Sequence, residues 1–250
     1  MKILVCNDDG IGADGIFHLT QAMSEIGEVT IVAPVTEKSA AGHSITMKYP
    51  LRCTEVNLRD KFTGYAIEGT PADCVKFGIR NILNKKPDIV VSGINHGANT
   101  AINLIYSGTV SAAREAAIMD CPAIAFSITD HVPTSFEYAE KIAKQITEKV
   151  LQNGLKEGVL LNVNIPNLPE GKIKGILPTR QGCSKWDDIY EERKDPYGNN
   201  YYWLTGVMTD LTDDLRNDQI AVKNNYVAVT PIHFDLTDYK TLEELKNWNF

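Results

Sequence analysis

Two adjacent carboxylates follow the first apolar run of the chain. The sequence begins MKILVCNDDGIGADGIF, in which Asp8 and Asp9 stand between Asn7 and Gly10. Neighbouring aspartates repel each other unless a cation joins them, one is protonated, or solvent screens both. Asp-Gly is also a strong hairpin signal, so a plain turn competes with a metal or catalytic site as the interpretation. The choice depends on what the other loops carry.

Three further polar loops could complete a metal site. Their sequences are PVTEKSAAGHS, SGINHGANT and YSGTV, and the first two supply Ser39 and Asn95. With Asp8 and Asp9 these residues form a ligand set of oxygen atoms, which suits a hard divalent cation such as Mg²⁺ or Mn²⁺. His43 and His96 keep zinc open as a less favoured alternative, because zinc more often recruits Cys or His.

The YSGTV loop directly precedes the helical pattern VSAAREAA. Hydroxyls and free N–H groups at a helix N-terminus bind anions, although capping is the ordinary role of Ser or Thr there. A cation held by carboxylates opposite such an N-terminus would clamp a phosphoryl group. The predicted phosphate- and substrate-binding residues are Asn7, Gly10, Asn95, Ser107, Gly108 and Thr109.

Short apolar runs alternate with amphipathic patterns over the first two thirds of the chain and must position these loops. The predicted strands are KILVC, EVTIVAP, DIVVSG, PAIAFSI and GVLLNVNIP, and helical patterns lie between them. This alternation predicts an α/β, doubly wound, mostly parallel sheet with helices on both faces. Ligands bind such sheets beyond the carboxyl ends of the strands, near the point where strand order reverses. The four polar loops fall at such ends.

The C-terminal part differs in composition. YEERKDPYGNNYYWLTG predicts two polar-aromatic strands around a turn, YVAVTPIHFDL a strand and KTLEELKNW a closing helix. An isolated two-stranded ribbon is marginally stable, so we expect it to pack on a partner subunit by exchange of segments. We divide the chain into a catalytic core, 1–178, and an oligomerisation part, 179–250. Tyr201, Tyr202 and Trp203 are predicted to lie in a core or an interface, with stacking on a base as the alternative. Arg114 and Glu115 are predicted to be solvated, with contact to the site as the alternative.

Bulk properties exclude several classes of function. The 250 residues carry a formal net charge of −7, which argues against binding of nucleic acid duplexes. Five widely spaced cysteines without a CxxC pair predict free thiols and a cytoplasmic protein. No apolar stretch is long enough to predict a membrane span or a signal peptide.

Two familiar phosphate-site patterns are absent from the sequence. It contains no GxxxxGK[ST] loop, and its aspartates are adjacent rather than spaced DxD. A non-enzymatic, Mg²⁺-binding receiver-like signalling domain is the main alternative, since it also carries an acidic pair after its first strand. Such a domain needs a phosphoacceptor Asp after the third predicted strand, where this chain has Ser92-Gly93-Ile94-Asn95. A deacetylase or glycosyl hydrolase is disfavoured without a His-rich ligand set.

Seven blocks of the sequence, in order, resemble those of the stationary-phase survival protein SurE family. They are MKILVCNDDGIGADGI, VAPVTEKSAAGHSIT, GTPADCVKFGI, VSGINHGAN, YSGTVSAAREA, ERKDPYGNNYYWLTG and YVAVTPIHFDLTDY. The resemblance implies a metal-dependent phosphatase of nucleoside 5′- and 3′-monophosphates, some members of which also shorten polyphosphate. It implies a Rossmann-like domain and a C-terminal part exchanged in homodimers or homotetramers.

The resemblance also assigns roles to residues. One divalent cation per subunit would be held by Asp8, Asp9, Ser39 and Asn95, with the Ser107-Gly108-Thr109 segment beside the phosphate. The nucleophile is left open between a water deprotonated by Asp8 or Asp9 and direct attack by one of these carboxylates. Departures from the family pattern occur at Ala101 and Ala116, where Gly is expected, and at Asn103, where Asp is frequent. These three positions bear on substrate preference more than on catalysis.

Overall fold

The computed structural model describes residues 1–209 and 213–248. The strand bounds are β1 Lys2–Cys6, β2 Glu28–Pro34, β3 Cys53–Leu58, β4 Phe62–Ile67, β5 Ile89–His96, β6 Ala123–Ile128, β7 Val159–Ile165, β8 Gly175–Pro178, β9 Lys185–Lys194, β10 Asn200–Thr209 and β11 Tyr226–His233. The α-helices are α1 Asp14–Ser24, α2 Pro71–Phe77, α3 Asn103–Tyr106, α4 Gly108–Ile118, α5 Glu137–Asn153, α6 Asp218–Lys223 and α7 Tyr239–Leu245. A π-helical turn, Gly78–Ile82, continues α2, and Glu170–Lys172 form a short 3₁₀ turn.

A large mixed sheet has the strand order β3–β4–β2–β1–β5–β6–β7–β11–β8. The six strands from β4 to β7 in that order are mutually parallel, whereas β3 runs antiparallel to β4 and β11 antiparallel to β7. The predicted mostly parallel sheet is therefore confirmed. From β1 the chain moves to β2 on one side and later to β5 on the other, so strand order reverses between β1 and β5.

Alternation along the strands builds a core on each face of the sheet. In β1, Ile3 and Val5 belong to one buried cluster, whereas Leu4 and Cys6 belong to the other. Helices α1 and α5 cover the first face with their apolar stripes, and α2 and α4 cover the second. Burial on both faces accounts for the near-continuous apolar strands in the sequence, and it confirms the doubly wound arrangement.

Helices α2 and α4 show why these segments become helical and lie close to the sheet. Thr70 and Asp73 form a reciprocal capping box at the start of α2, and Pro71 occupies its first turn. In α4 the residues that face the sheet are small, among them Ala112, Ala113 and Ala116. Small side chains let the helix axis approach the strands, which brings the N-terminus of α4 to the sheet edge.

Several elements were not predicted from the sequence. Strands β3 and β4 lack a continuous apolar run, because most β3 side chains are exposed at the edge of the sheet. Strand β11 lies between β7 and β8, so the chain after residue 178 contributes to the main sheet. The division of the chain at residue 178 stays a prediction. No helix within the described ranges has the length and apolarity needed to cross a membrane.

The ribbon of β9 and β10 is confirmed as an antiparallel pair, with Lys194 opposite Asn200 and Lys185 opposite Thr209. Almost all of its residues are exposed, although many are large and apolar. The exposed apolar residues of the ribbon are Trp186, Ile189, Tyr190, Tyr201, Tyr202, Trp203, Leu204 and Val207. Apolar surface of this extent is typical of a face that binds another protein.

Candidate active site

The predicted site residues meet at the carboxyl edge of the sheet, where strand order reverses. Asp8 and Asp9 follow β1, Ser39 lies in the loop after β2, and Asn95 belongs to the end of β5. These three strands are neighbours, and α4 begins beside them with Gly108. Asp8, Asp9, Ser39, Asn95 and Ser107 all line one cleft.

Asp8 is enclosed by the start of α4. Its side chain is only 4% exposed, and its Oδ1 accepts a hydrogen bond from the Thr109 hydroxyl. The Thr109 oxygen also lies 3.3 Å from Asn95 Oδ1. Burial raises the pKa of Asp8, while hydrogen bonds from Thr109 oppose the rise. A methyl group on Gly108 would lie 2.7 Å from Asp8 Cβ and 2.8 Å from its Oδ2, so a glycine is needed there.

The charge of the Asp9 carboxylate is only partly compensated by its surroundings. Its Oδ2 is buried and finds no hydrogen-bond partner within the described part of the chain. Burial, followed by the charges of Asp8 and Glu37, raises its pKa to about 7. A buried carboxylate pair with an unpaired oxygen is costly unless a cation neutralises it. The donor set therefore fits a divalent cation on structural grounds.

The other proposed ligands bring neutral oxygens to the same cleft. Ser39 is exposed, and its hydroxyl donates to Glu37 Oε1 at 2.5 Å. The Asn95 side-chain NH₂ donates to the Gly97 carbonyl at 2.8 Å, so Asn95 Oδ1 is not used in that bond. Across residues 1–209 and 213–248, no cluster of three or more His, Cys, Asp and Glu side chains is placed to hold a metal. Two carboxylates with neutral oxygens is thus the composition that the structure offers.

Ser107 has the capping role that such a residue ordinarily takes. Its Oγ accepts from the Val110 N–H at 3.1 Å, and its carbonyl accepts from the Ser111 hydroxyl. It also lines the cleft, as the first residue before the helix. Gly108 and Thr109 do not line the cleft, and the Thr109 hydroxyl is engaged by Asp8. Contact of Ser107, Gly108 and Thr109 with a phosphate stays a prediction.

Asn7 and Gly10 do not line the cleft, although both were predicted to contact substrate. Asn7 is fully buried, and its amide donates to the Gly10 carbonyl at 2.8 Å. Gly10 has a φ of +97°, a conformation that disfavours other residues. Helix α1 follows, so NDDG is the turn of a strand–helix connection and the hairpin interpretation is wrong. Asn7 and Gly10 hold the turn that presents Asp8 and Asp9.

Arg114 and Glu115 are buried rather than solvated, which corrects the expectation from the sequence. Glu115 is 3% exposed and binds His43 Nε2 at 2.8 Å and Lys76 Nζ at 2.6 Å. The reason is that this position of α4 faces α2 and the long loop after β2. His43 therefore tethers the loop that carries Ser39 to the core, and it does not line the cleft.

A buried amide network supports the loop after β5. Asn164 Oδ1 accepts from the Asn99 N–H at 2.8 Å, and the Asn162 amide donates to the Asn99 carbonyl at 2.7 Å. Asp218, also buried, accepts from the N–H groups of Ala101 and Gly182. The loop is thereby fixed both to β7 and to the segment that leads into the ribbon.

Ala101, one of the departures from the family pattern, lies in this loop with a φ of +50°. A left-handed conformation is one that glycine adopts without cost, which explains why Gly is expected at this position.

Sequence reasoning missed several residues that line the cleft, including Glu37, His131, Lys185 and Trp186, whereas His96, which it considered as a zinc ligand, also lines the cleft. His96 Nε2 is buried without a hydrogen-bond partner in the described residues, and burial lowers the pKa of this imidazole. The position of Glu37 two residues before Ser39 was an available signal. Trp186 offered none, since it reaches the cleft only through the placement of the ribbon.

Comparison with known proteins gives consistent matches. The family model described as Survival protein SurE matches residues 3–188. The 5'-nucleotidase SurE of Chlorobium limicola is 49% identical over 247 residues, which cover 99% of this chain and 96% of that protein. The 5'-nucleotidase SurE of Syntrophobacter fumaroxidans is 48% identical over 249 residues, or 100% of both chains. The crystal structure of the SurE protein from Aquifex aeolicus superposes with a TM-score of 0.86, 42% identity and 98% coverage of each chain.

Proposed function

The chain belongs to the SurE family, and from this premise we propose that it is a metal-dependent phosphomonoesterase of nucleoside 5′- and 3′-monophosphates. The observation that carries the proposal is the pair Asp8 and Asp9 at the reversal point of the sheet, directly beside the N-terminus of α4. Relatives named 5'-nucleotidase SurE support the substrate class. Shortening of polyphosphate is proposed as a side activity only.

Asp8, Asp9, Ser39 and Asn95 would hold one divalent cation per subunit, Mg²⁺ or Mn²⁺. When bound, the cation would neutralise the carboxylates and withdraw negative charge from the phosphoryl group. The Ser107 hydroxyl would donate to a phosphoryl oxygen. The first-turn N–H groups of α4 already have partners, those of Gly108 and Thr109 in Asp8 and that of Val110 in Ser107 Oγ, so they would reach a phosphate only by exchanging these partners.

The two carboxylates are not equivalent in their access to substrate. Asp8 is 4% exposed and its Oδ1 accepts from the Thr109 hydroxyl, so it is badly placed to attack phosphorus. Asp9 is partly exposed on the cleft side and keeps an unpaired oxygen. We assign to Asp8 the role of a fixed ligand, and to Asp9 the contact with whatever species attacks the phosphoryl group, water or the carboxylate itself.

The test is hydrolysis of 5′-AMP, 3′-AMP, p-nitrophenyl phosphate and a short polyphosphate, with Mg²⁺, with Mn²⁺ and with EDTA. We expect EDTA to abolish turnover, and Asp8→Asn to lower kcat by at least about two orders of magnitude. Asp14→Asn is the matched control, because Asp14 is an acidic residue at the start of α1 that does not line the cleft. Activity of Asp8→Asn within about twofold of wild type, at saturating cation, contradicts the proposal.

We further propose that residues 179–250 form the oligomerisation part and that the protein is a homodimer or homotetramer. The exposed apolar side chains of β9 and β10, apart from Trp186 and Leu204, which line the cleft, support this assignment. Light scattering coupled to size exclusion is the measurement, and a monomer at micromolar concentration would be the contrary result. We also assign the protein to the cytoplasm, which the five free cysteines favour; no partner among nucleic acid duplexes or membranes is proposed.

A further inference from the structure

The active-site cleft continues well beyond the residues proposed to bind metal and phosphate. It encloses about 1170 Å³, more than the roughly 300–1,000 Å³ typical of a small-molecule pocket. A phosphoryl group at Asp8 and Asp9 would occupy one end of this space. The far end of the cleft, formed by α3 and the ribbon, combines the apolar or aromatic Ile102, Tyr106, Trp186 and Leu204 with the polar Asn103, Lys185 and Asp188.

Trp186 is held in a defined orientation at this far end. Its Nε1 donates to Asn103 Oδ1 at 2.7 Å, across 83 positions of sequence. Because an indole N–H can only donate, the oxygen of the Asn103 amide must be the atom that faces it. The indole keeps 44% of its surface exposed while it lines the cleft. A flat apolar surface is therefore fixed in place and still accessible.

The charges of the cleft point to the kind of group that fits beside Trp186. Glu37 and Asp188 line it in addition to Asp8 and Asp9, whereas Lys185 supplies the one ammonium group among the described lining residues. The four carboxylates of the cleft outnumber its one ammonium group, which disfavours a second phosphate and is consistent with polyphosphate as a side substrate only. An uncharged planar ring would instead gain contact with aromatic surface.

We propose that the far end of the cleft binds the nucleobase of the substrate, with the face of Trp186 as its stacking surface. Asn103 is a positioning residue, which acts by holding the indole. The proposal rests on the proposed function, because it names the part of the leaving group that this cleft accommodates. Stacking is open to every base, so Trp186 favours nucleotides over other phosphomonoesters without selecting one base.

The test compares 5′-AMP with ribose 5-phosphate, which lacks the base. In Trp186→Ala we expect kcat/KM for 5′-AMP to fall at least about fivefold, mainly because KM rises. A loss of about fivefold corresponds to the lower end of the free energies measured for base–aromatic stacking. Turnover of ribose 5-phosphate should stay within about twofold of wild type. Trp203→Ala is the matched control, since Trp203 is an exposed tryptophan of the same ribbon that does not line the cleft.

Variants at Asn103 test the positioning role. Asn103→Ala removes the acceptor and should raise KM for 5′-AMP, whereas Asn103→Asp keeps an acceptor oxygen for the indole and should restore most of the affinity. Equal losses in both variants would overturn the positioning role. An equal fall for both substrates in Trp186→Ala would overturn the stacking role, because it would reflect general damage to the site.

Calorimetric titration of adenosine into the metal-free protein gives a readout that is independent of turnover. We expect Trp186→Ala to weaken adenosine binding at least about fivefold and Trp203→Ala to leave it unchanged. Unaltered adenosine affinity in Trp186→Ala overturns the proposal. If no phosphate ester is hydrolysed by the wild-type protein, the proposed function fails, while the titration still decides whether the far end of the cleft takes a nucleobase.

Discussion

Replacing Asp9 by Asn should stabilise the metal-free protein while it abolishes phosphatase activity. Burial, then the charges of Asp8 and Glu37, raises the pKa of Asp9 from 3.8 to about 7. The folded state therefore holds this proton more tightly than the unfolded chain. The carboxyl destabilises the fold increasingly as pH rises from about 4 to 7, and fully above that range.

The size of the effect follows from the same shift. Each pKa unit corresponds to about 1.36 kcal/mol, so the shift of Asp9 corresponds to a destabilisation of about 4 kcal/mol above neutral pH. Because the side chain is partly exposed, water relieves part of this cost, and we expect Asp9→Asn to gain about 2–4 kcal/mol. For a domain of this length, the gain raises Tm by roughly 5–10 °C.

The assay is thermal unfolding at about pH 5 and about pH 8, followed by fluorescence, once in EDTA and once with Mn²⁺ in place of EDTA. The Tm of Asp9→Asn should exceed that of wild type by the full amount at the higher pH and by much less at the lower pH. Mn²⁺ should raise the Tm of wild type and leave that of Asp9→Asn almost unchanged. Asp14→Asn is the control, because a hydrogen bond from Arg59 lowers the pKa of Asp14 and its replacement brings no gain.

Two results would refute this reasoning. If the Asp9→Asn protein is no more stable than wild type at about pH 8, the buried carboxylate carries no uncompensated charge. A stabilisation of equal size at both pH values would show that its cause is packing, and not ionisation of Asp9.

Three further predictions concern residues around the site. Gly108→Ala should lower kcat at least about tenfold and lower the free energy of unfolding by about 1–3 kcal/mol, since the new methyl group would lie 2.7 Å from Asp8 Cβ. Gly12→Ala is the control and should match wild type in both assays, because its methyl group would meet no atom within 4 Å. Glu115→Gln should cost about 1–3 kcal/mol in urea unfolding, because one buried carboxylate serves two basic partners; an unchanged midpoint would contradict the tether. Asn164→Ala should cost about 1–3 kcal/mol by leaving a buried loop N–H without its acceptor, and KM should rise with it.

The sequence by itself was sufficient for the main architecture. Apolar runs buried on both faces indicate a parallel sheet wherever helices separate them, because periodicity is a local property of the chain. The same locality made Asp8, Asp9, Ser39 and Asn95 visible as a group, since the carboxyl ends of neighbouring parallel strands share one edge. Strands β3 and β4 escaped prediction because an exposed edge strand needs no continuous apolar run.

Only the tertiary structure decided what surrounds these residues. The burial of Glu115 against His43, the support of the β5 loop by Asn164, and the placement of Trp186 beside Asn103 join positions between 65 and 83 residues apart. Contacts over such separations depend on strand order and on where the ribbon leaves the sheet, and no local pattern encodes them. The carboxylate pair could thus be located from sequence, whereas the shape of the cleft and its far wall follow from topology.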